Sequence, residues 1–167
     1  AMVTDPSYAE YFGPGEGVPA DPEVVIAEIA ILMNRVNQIY NDDFAVFMVM
    51  AEGSEDLNLD TLEKATGENG PCGINGCYTE AQITGGCTSG LLTRNQFVTG
   101  QIVGADNFDV GHIMLGINGG GIAGLGVVGE ERKAAGCTGL PFPEGDFMAI
   151  DYVAHEMGHQ FAGNHTF

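Results

Sequence analysis

The chain has 167 residues, 44% of them hydrophobic, which is the size and composition of one compact domain able to bury a real core. Twenty-three Asp and Glu against five Lys and Arg give a formal charge of −18, so the surface repels phosphate backbones and anionic lipid, and neither nucleic acid nor a membrane surface is expected as a partner. No run reaches the roughly 18 apolar residues of a membrane span, and the acidity reads as solvation of a secreted or salt-adapted protein.

The opening "AMVTDPSYAEYFG" lacks the basic segment and apolar run of a signal peptide, and "AMVT" reads as the end of a β-strand, as expected of a domain cut from a larger precursor. A helix follows in "DPEVVIAEIAILMNRVNQIYN": Asp21 is placed to cap it, Pro22 takes its first position, and Val25, Ile29, Leu32, Val36 and Ile39 recur at helical spacing. Residues 44–50, "FAVFMVM", form a continuous apolar run of β-formers suited to a buried strand. Helix and strand together read as half of an α/β layer. In "EDLNLDTLEKATGE", Asp56, Asn58 and Asp60 take the first, third and fifth places of a calcium loop. Thr61 stands where that loop needs Gly and Gly67 where it needs Glu, so calcium is unsupported and a strand end entering a polar loop is expected.

Cys72, Cys77, Cys87 and Cys137 are an even set in Gly-rich, loop-like surroundings such as "GPCGINGCYTEAQITGGC", which favours disulfides and an oxidising compartment. Three pairings are open; Cys72 with Cys77 and Cys87 with Cys137 is preferred. A structural zinc site is the rival reading, but its tight C-x2-C knuckles are missing. Next come a helix-like stretch, "LLTRNQFVTGQIVG", with Leu92, Phe97 and Ile102 as its apolar spacing, and a second strand in "FDVGHIMLG". Gly119, Gly121 and Gly124 match a dinucleotide fingerprint, but "LGVVGEERKAAG" after them is no helix. So much glycine suits a backbone that passes close to a ligand or to another chain.

"DFMAIDYVAHEMGHQF" carries Met148, Ile150, Val153, Met157 and Phe161, the stripe of a helix buried along one side. On it His155 and His159 lie four apart and can offer two imidazole nitrogens to one ion, with Glu156 rotated about 100° around the helix, nearer a bound water than the metal. His165 would sit about 9 Å further along a continuing helix, so the chain has to turn back. Gly163 and Asn164 tolerate the left-handed conformation that ends helices. H-E-x-x-H alone arises in ordinary helices, where such histidines are merely hydrogen-bonded; a third histidine at this offset argues for a metal.

The segment resembles the metzincin zinc-protease signature H-E-x-x-H-x-x-G-x-x-H, and "AIDYVAHEMGHQF" followed by "NHTF" is similar to bacterial reprolysin (adamalysin)-like proteins. "FDVGHIMLG" and "GIAGLGVVG" resemble the family's active-site edge strand and the Gly-rich segment before its zinc helix. The resemblance implies an α/β zincin domain, with a mixed sheet, a long N-terminal helix and a C-terminal zinc-binding helix. Residues 1–167 would then be a single catalytic domain lacking its last portion, which holds a methionine-containing turn. It implies one catalytic Zn2+ on His155, His159 and His165, Glu156 as general base, and an edge strand at His112, Ile113, Met114 and Leu115 that pairs with extended substrate. His112 itself is read as a strand residue and not a ligand. Two departures stand out: Ala162 occupies the family's glycine position, so that either Gly163 makes the turn or Ala162 is strained, and Thr166 replaces an acidic residue found in several subgroups.

The implied activity is a secreted zinc endopeptidase acting on protein or peptide substrates through a zinc-activated water, with a propeptide as a further partner in the precursor. Its rivals are a catalytically incompetent zinc-containing module that holds peptides or a propeptide, and a purely structural zinc site. The second needs a fourth protein ligand, and none accompanies the three histidines.

Overall fold

Helix α2 (Pro22–Phe44) starts where its sequence signals a start: the Asp21 carboxylate accepts from the Glu23 N–H at 3.0 Å, and Pro22 sits in the first turn. In the computed structural model, which describes residues 1–165, Val25, Ile29, Leu32, Val36 and Tyr40 are buried along one face of α2. They pack against Met148, Ala149, Val153 and Met157 of the C-terminal helix. Tyr40 takes the place that the apolar spacing assigned to Ile39, which is only half-buried. The helix ends at Ala45, whose left-handed φ of 55° turns the chain away.

The next segment differs from its composition. Residues 45–50 lie outside any strand, with Phe47 68% and Val49 77% exposed. The side chain of Asn37 takes the place of a neighbouring strand: its Nδ2 donates to the Met48 carbonyl at 2.7 Å and its Oδ1 accepts from the Met48 N–H at 2.8 Å. An amide that satisfies both backbone groups removes the need for a ladder there. Further on, the expected strand end is a 3₁₀ turn (Ser54–Leu57) followed by the short helix α3 (Leu62–Thr66), and an isolated bridge between Thr4 and Asn58 links the stretch between them to β1. Asp60 is taken by Lys64 at 2.9 Å.

Four strands form one sheet in the order β1-β2-β4-β3, where β1 is Met2–Thr4, β2 His112–Leu115, β3 Gly120–Ala123 and β4 Gly136–Gly139. β1, β2 and β4 run parallel, and β3 is antiparallel to β4. Side chains alternate between the faces. Val3, Ile113, Leu115 and Cys137 meet one core with Leu91, Leu92 and Val98 of α5 (Ser89–Thr99); Met2 and Met114 meet the other, against α2 and the C-terminal helix. Helices α1 (Pro6–Tyr11) and α4 (Glu80–Thr84) complete the layers. In α5, Asn95 holds the inward position that spacing gave to Phe97, which is 65% exposed, and the helix widens into a π turn at Gly100–Gly104.

This order corrects the edge-strand expectation. His112, Ile113, Met114 and Leu115 form an internal strand, bonded to β1 on one side and β4 on the other, and all four are fully buried. With both ladders occupied, β2 has no backbone groups left for an added peptide. β3 ends the sheet on one side, and β1 ends it on the other, where Thr4 bridges to Asn58.

Cys72 is bonded to Cys77 and Cys87 to Cys137, the preferred pairing. The second bond closes a loop of 50 residues and ties the segment before α5 to the middle of β4, whereas the first closes only five. In the chain-entropy account, removing Cys87–Cys137 as a double Ser variant costs about 4 kcal/mol, and removing Cys72–Cys77 about 2 kcal/mol. Urea unfolding of the two variants checks the order; equal losses would show that loop length does not govern here.

Candidate metal centre

The C-terminal helix is π-helical over Phe147–Ala154 and continues as α6 (His155–Gln160). The change falls just before the first histidine, where the Tyr40 hydroxyl donates to the Ala154 carbonyl at 2.8 Å and fixes α2 to this point of the helix. At the other end the chain reverses in a Schellman turn: the Ala162 N–H bonds to the His159 carbonyl at 2.9 Å and the Gly163 N–H to the Gly158 carbonyl at 2.7 Å. Ala162 is the left-handed residue of that turn, with φ 73°, and Gly163 is not. A loop adds to this end, Gly126 N–H donating to the His159 carbonyl that Ala162 already shares and Val127 N–H to the Gln160 carbonyl.

The turn brings His165 back. The Nε2 atoms of His155, His159 and His165 stand 3.1 Å apart in all three pairs. His159 Nδ1 lies 2.7 Å from the Gly163 carbonyl, an acceptor only, so Nδ1 carries the ring proton and Nε2 presents a lone pair. Rings placed so cannot all be hydrogen-bonded to one another, and their nitrogens are grouped closely enough that they could hold one cation. The centre of this triangle is about 1.8 Å from each nitrogen, so an ion with imidazole bonds of about 2.0 to 2.1 Å fits slightly off its plane, with one side open. His155 and His165 are exposed, so that side faces solvent. No other cluster of three His, Cys, Asp or Glu with metal-binding spacing occurs among the described residues.

Glu156 is 7% exposed, and its Oε2 is buried without a hydrogen-bond partner. Burial holds the carboxyl above the usual carboxylate range, an effect that the neighbouring His159 and His165 oppose.

Behind the centre lies a polar joint that the sequence did not announce. Gln160 Nε2 donates to the Gly111 carbonyl at 2.9 Å, which orients its Oε1 towards His112 Nδ1 at 3.2 Å; His112 Nε2 lies 2.9 Å from the Thr138 hydroxyl. One neutral tautomer satisfies the set, Nδ1–H donating to Gln160 and Nε2 accepting from Thr138. His112 is thus a strand residue, as its sequence reading has it. The available signal was Gln160, a polar residue where the stripe through Val153 and Met157 continues. Thr166 lies outside the described residues.

A family model described as Metallo-peptidase family M12B Reprolysin-like matches residues 23–167, from α2 through all three histidines. The chain belongs to this family. No match was found among curated proteins. Membership makes it a zinc-metallopeptidase domain with the metzincin-like fold described above, a mixed sheet with a histidine-bearing helix at the C-terminal end.

Two outcomes test this construction. A left-handed non-glycine residue costs roughly 1 kcal/mol, so Ala162→Gly should raise unfolding stability by about that amount; a loss would mean that the Ala162 methyl packs productively. Burial lowers the His112 pKa from 6.5 to about 4. The fold therefore favours the neutral ring, and its contribution is complete above pH 6.5 and lost as pH falls through about 4. In zinc-free protein, urea midpoints of the wild type should decline over that window more steeply than those of His112→Gln; parallel profiles would show that His112 titrates normally.

Proposed function

We propose that the chain is an endopeptidase in which His155, His159 and His165 hold a single zinc ion and Glu156 is the general base. The convergence of three Nε2 atoms beside a buried carboxylate with an unpartnered oxygen carries this reading. When bound, zinc supplies Lewis acidity undiminished by its neutral imidazole ligands. The chain's own residues do the rest. The Gly163 carbonyl fixes the tautomer and tilt of His159, Tyr40 and Gln160 fix the helix, and the Schellman turn fixes His165. Glu156, pushed by burial towards the protonated form, is suited to accept a proton from the attacking water and return it to the leaving amine.

Substrate is assigned to β3. The Gly124 N–H donates to the Ala135 carbonyl at 2.7 Å, and the alternation of an antiparallel ladder then turns the N–H and C=O groups of Gly121 and Ala123 away from β4 to the open edge. An extended peptide adding there runs past Glu156. The two disulfides suit a secreted protein, and a single sheet with a core on each face suits one catalytic domain.

Glu156→Gln is isosteric and should keep zinc while lowering kcat by about 10² to 10⁴-fold. Metal content and cleavage of a denatured protein mixture, with and without chelator, are the measurements. Unchanged activity removes Glu156 from the mechanism; retention of peptides by the wild type without cleavage favours a binding module.

A further inference from the structure

Glycine in the interior of a strand weakens it unless something needs the missing side chain. Gly121 lies inside β3 and has no positive φ, so its backbone conformation is open to any residue. Space is what it lacks. A methyl built on Gly121 would overlap Glu156 Oε1 and crowd the Cδ and Cγ of the same side chain. The geometry follows from the sheet: Gly121 pairs with Thr138, whose hydroxyl meets His112 on the face turned to the helix, so the side-chain position of Gly121 faces the helix too.

We propose that Gly121 is a positioning residue for Glu156. The absent side chain on the edge strand is the space that the carboxylate occupies, and it sets where Oε1 stands relative to the three imidazoles and to a peptide on β3. Alanine there displaces the carboxylate from the place where it would meet a proton and leaves the His155, His159 and His165 imidazoles in place, because the three atoms nearest such a methyl all belong to Glu156. The effect on turnover rests on Glu156 as general base; the contact itself does not.

The test is a pair of double-mutant cycles on the whole chain. In the first, Gly121→Ala lowers kcat by about tenfold or more, with KM within about twofold and zinc content unchanged. In Glu156→Ala, which removes the Cγ, Cδ and Oε1 that the methyl would meet, adding Gly121→Ala changes the residual kcat by less than about twofold. In the second, thermal unfolding of zinc-free protein, Gly121→Ala lowers the midpoint by several degrees, and the loss falls to within about 1 °C in the Glu156→Ala background. The same factor or shift in both backgrounds, or no effect of Gly121→Ala at all, overturns the proposal. A wild type without peptidase activity would defeat the general-base reading, and the thermal cycle would still decide whether Gly121 makes room for Glu156.

Discussion

A helix that continued past His159 would carry His165 about 9 Å beyond any ion shared with the other two histidines. The chain reverses instead, through two backbone hydrogen bonds that close on the last turn of α6 and leave Ala162 in the left-handed region. The same reversal exposes the Gly163 carbonyl to His159 Nδ1, so one turn both brings in the third imidazole and sets the tautomer of the second. The Gly126 and Val127 N–H groups, bonded to the His159 and Gln160 carbonyls, keep the turn from fraying. Every chemical property assigned to the centre depends on this closure, because without it two nitrogens face one another and the third is elsewhere.

The helix that carries the centre is held close to the sheet by small residues on one side and by α2 on the other. A methyl at Gly136 would overlap His112 Nδ1 and Gln160 Oε1, and one at Gly121 would overlap Glu156. Glycine in β3 and β4 therefore lets polar side chains of the helix lie where an ordinary strand would place hydrocarbon. The apolar stripe from Met148 to Met157 takes the opposite face against α2. Buried Glu156 and His112 each meet desolvation differently: His112 is neutral and hydrogen-bonded at both nitrogens, while Glu156 keeps an unpartnered oxygen beside three imidazoles. The first arrangement suits a joint and the second a reactive group.

The acidity of the chain works at longer range. Four of its five basic groups have partners elsewhere: Arg35 with Asp146, Lys64 with Asp60, Arg94 with the Gly76 and Cys77 carbonyls, and Lys133 over the ring of Phe108. None of these four is among the partners of the histidines, so the surplus of carboxylates sets the surrounding field, one that draws cations inward and repels polyanions.

Much of the candidate site was legible from sequence because its information is local. The Asp21 cap, the stripe on α2, the i, i+4 spacing of His155 and His159, and the need for a reversal before His165 all concern residues within a few turns of one another, where helical geometry leaves little freedom. Sequence could name Gly163 and Ala162 as alternatives for the turn, but only the hydrogen bonds to His159 and Gly158 assigned the strain to Ala162. The run at 44–50 had the composition of a strand, yet a strand exists only through a neighbour, and Asn37 took that neighbour's place. For the same reason His112 to Leu115 read as an edge and proved internal: β1, β2 and β4 come from opposite ends of the chain, and no local pattern records which ladder lies beside which. Residue type and spacing determined what this protein can bind; pairing between distant segments decided which strand stays open, which histidine is structural and which glycine makes room for Glu156.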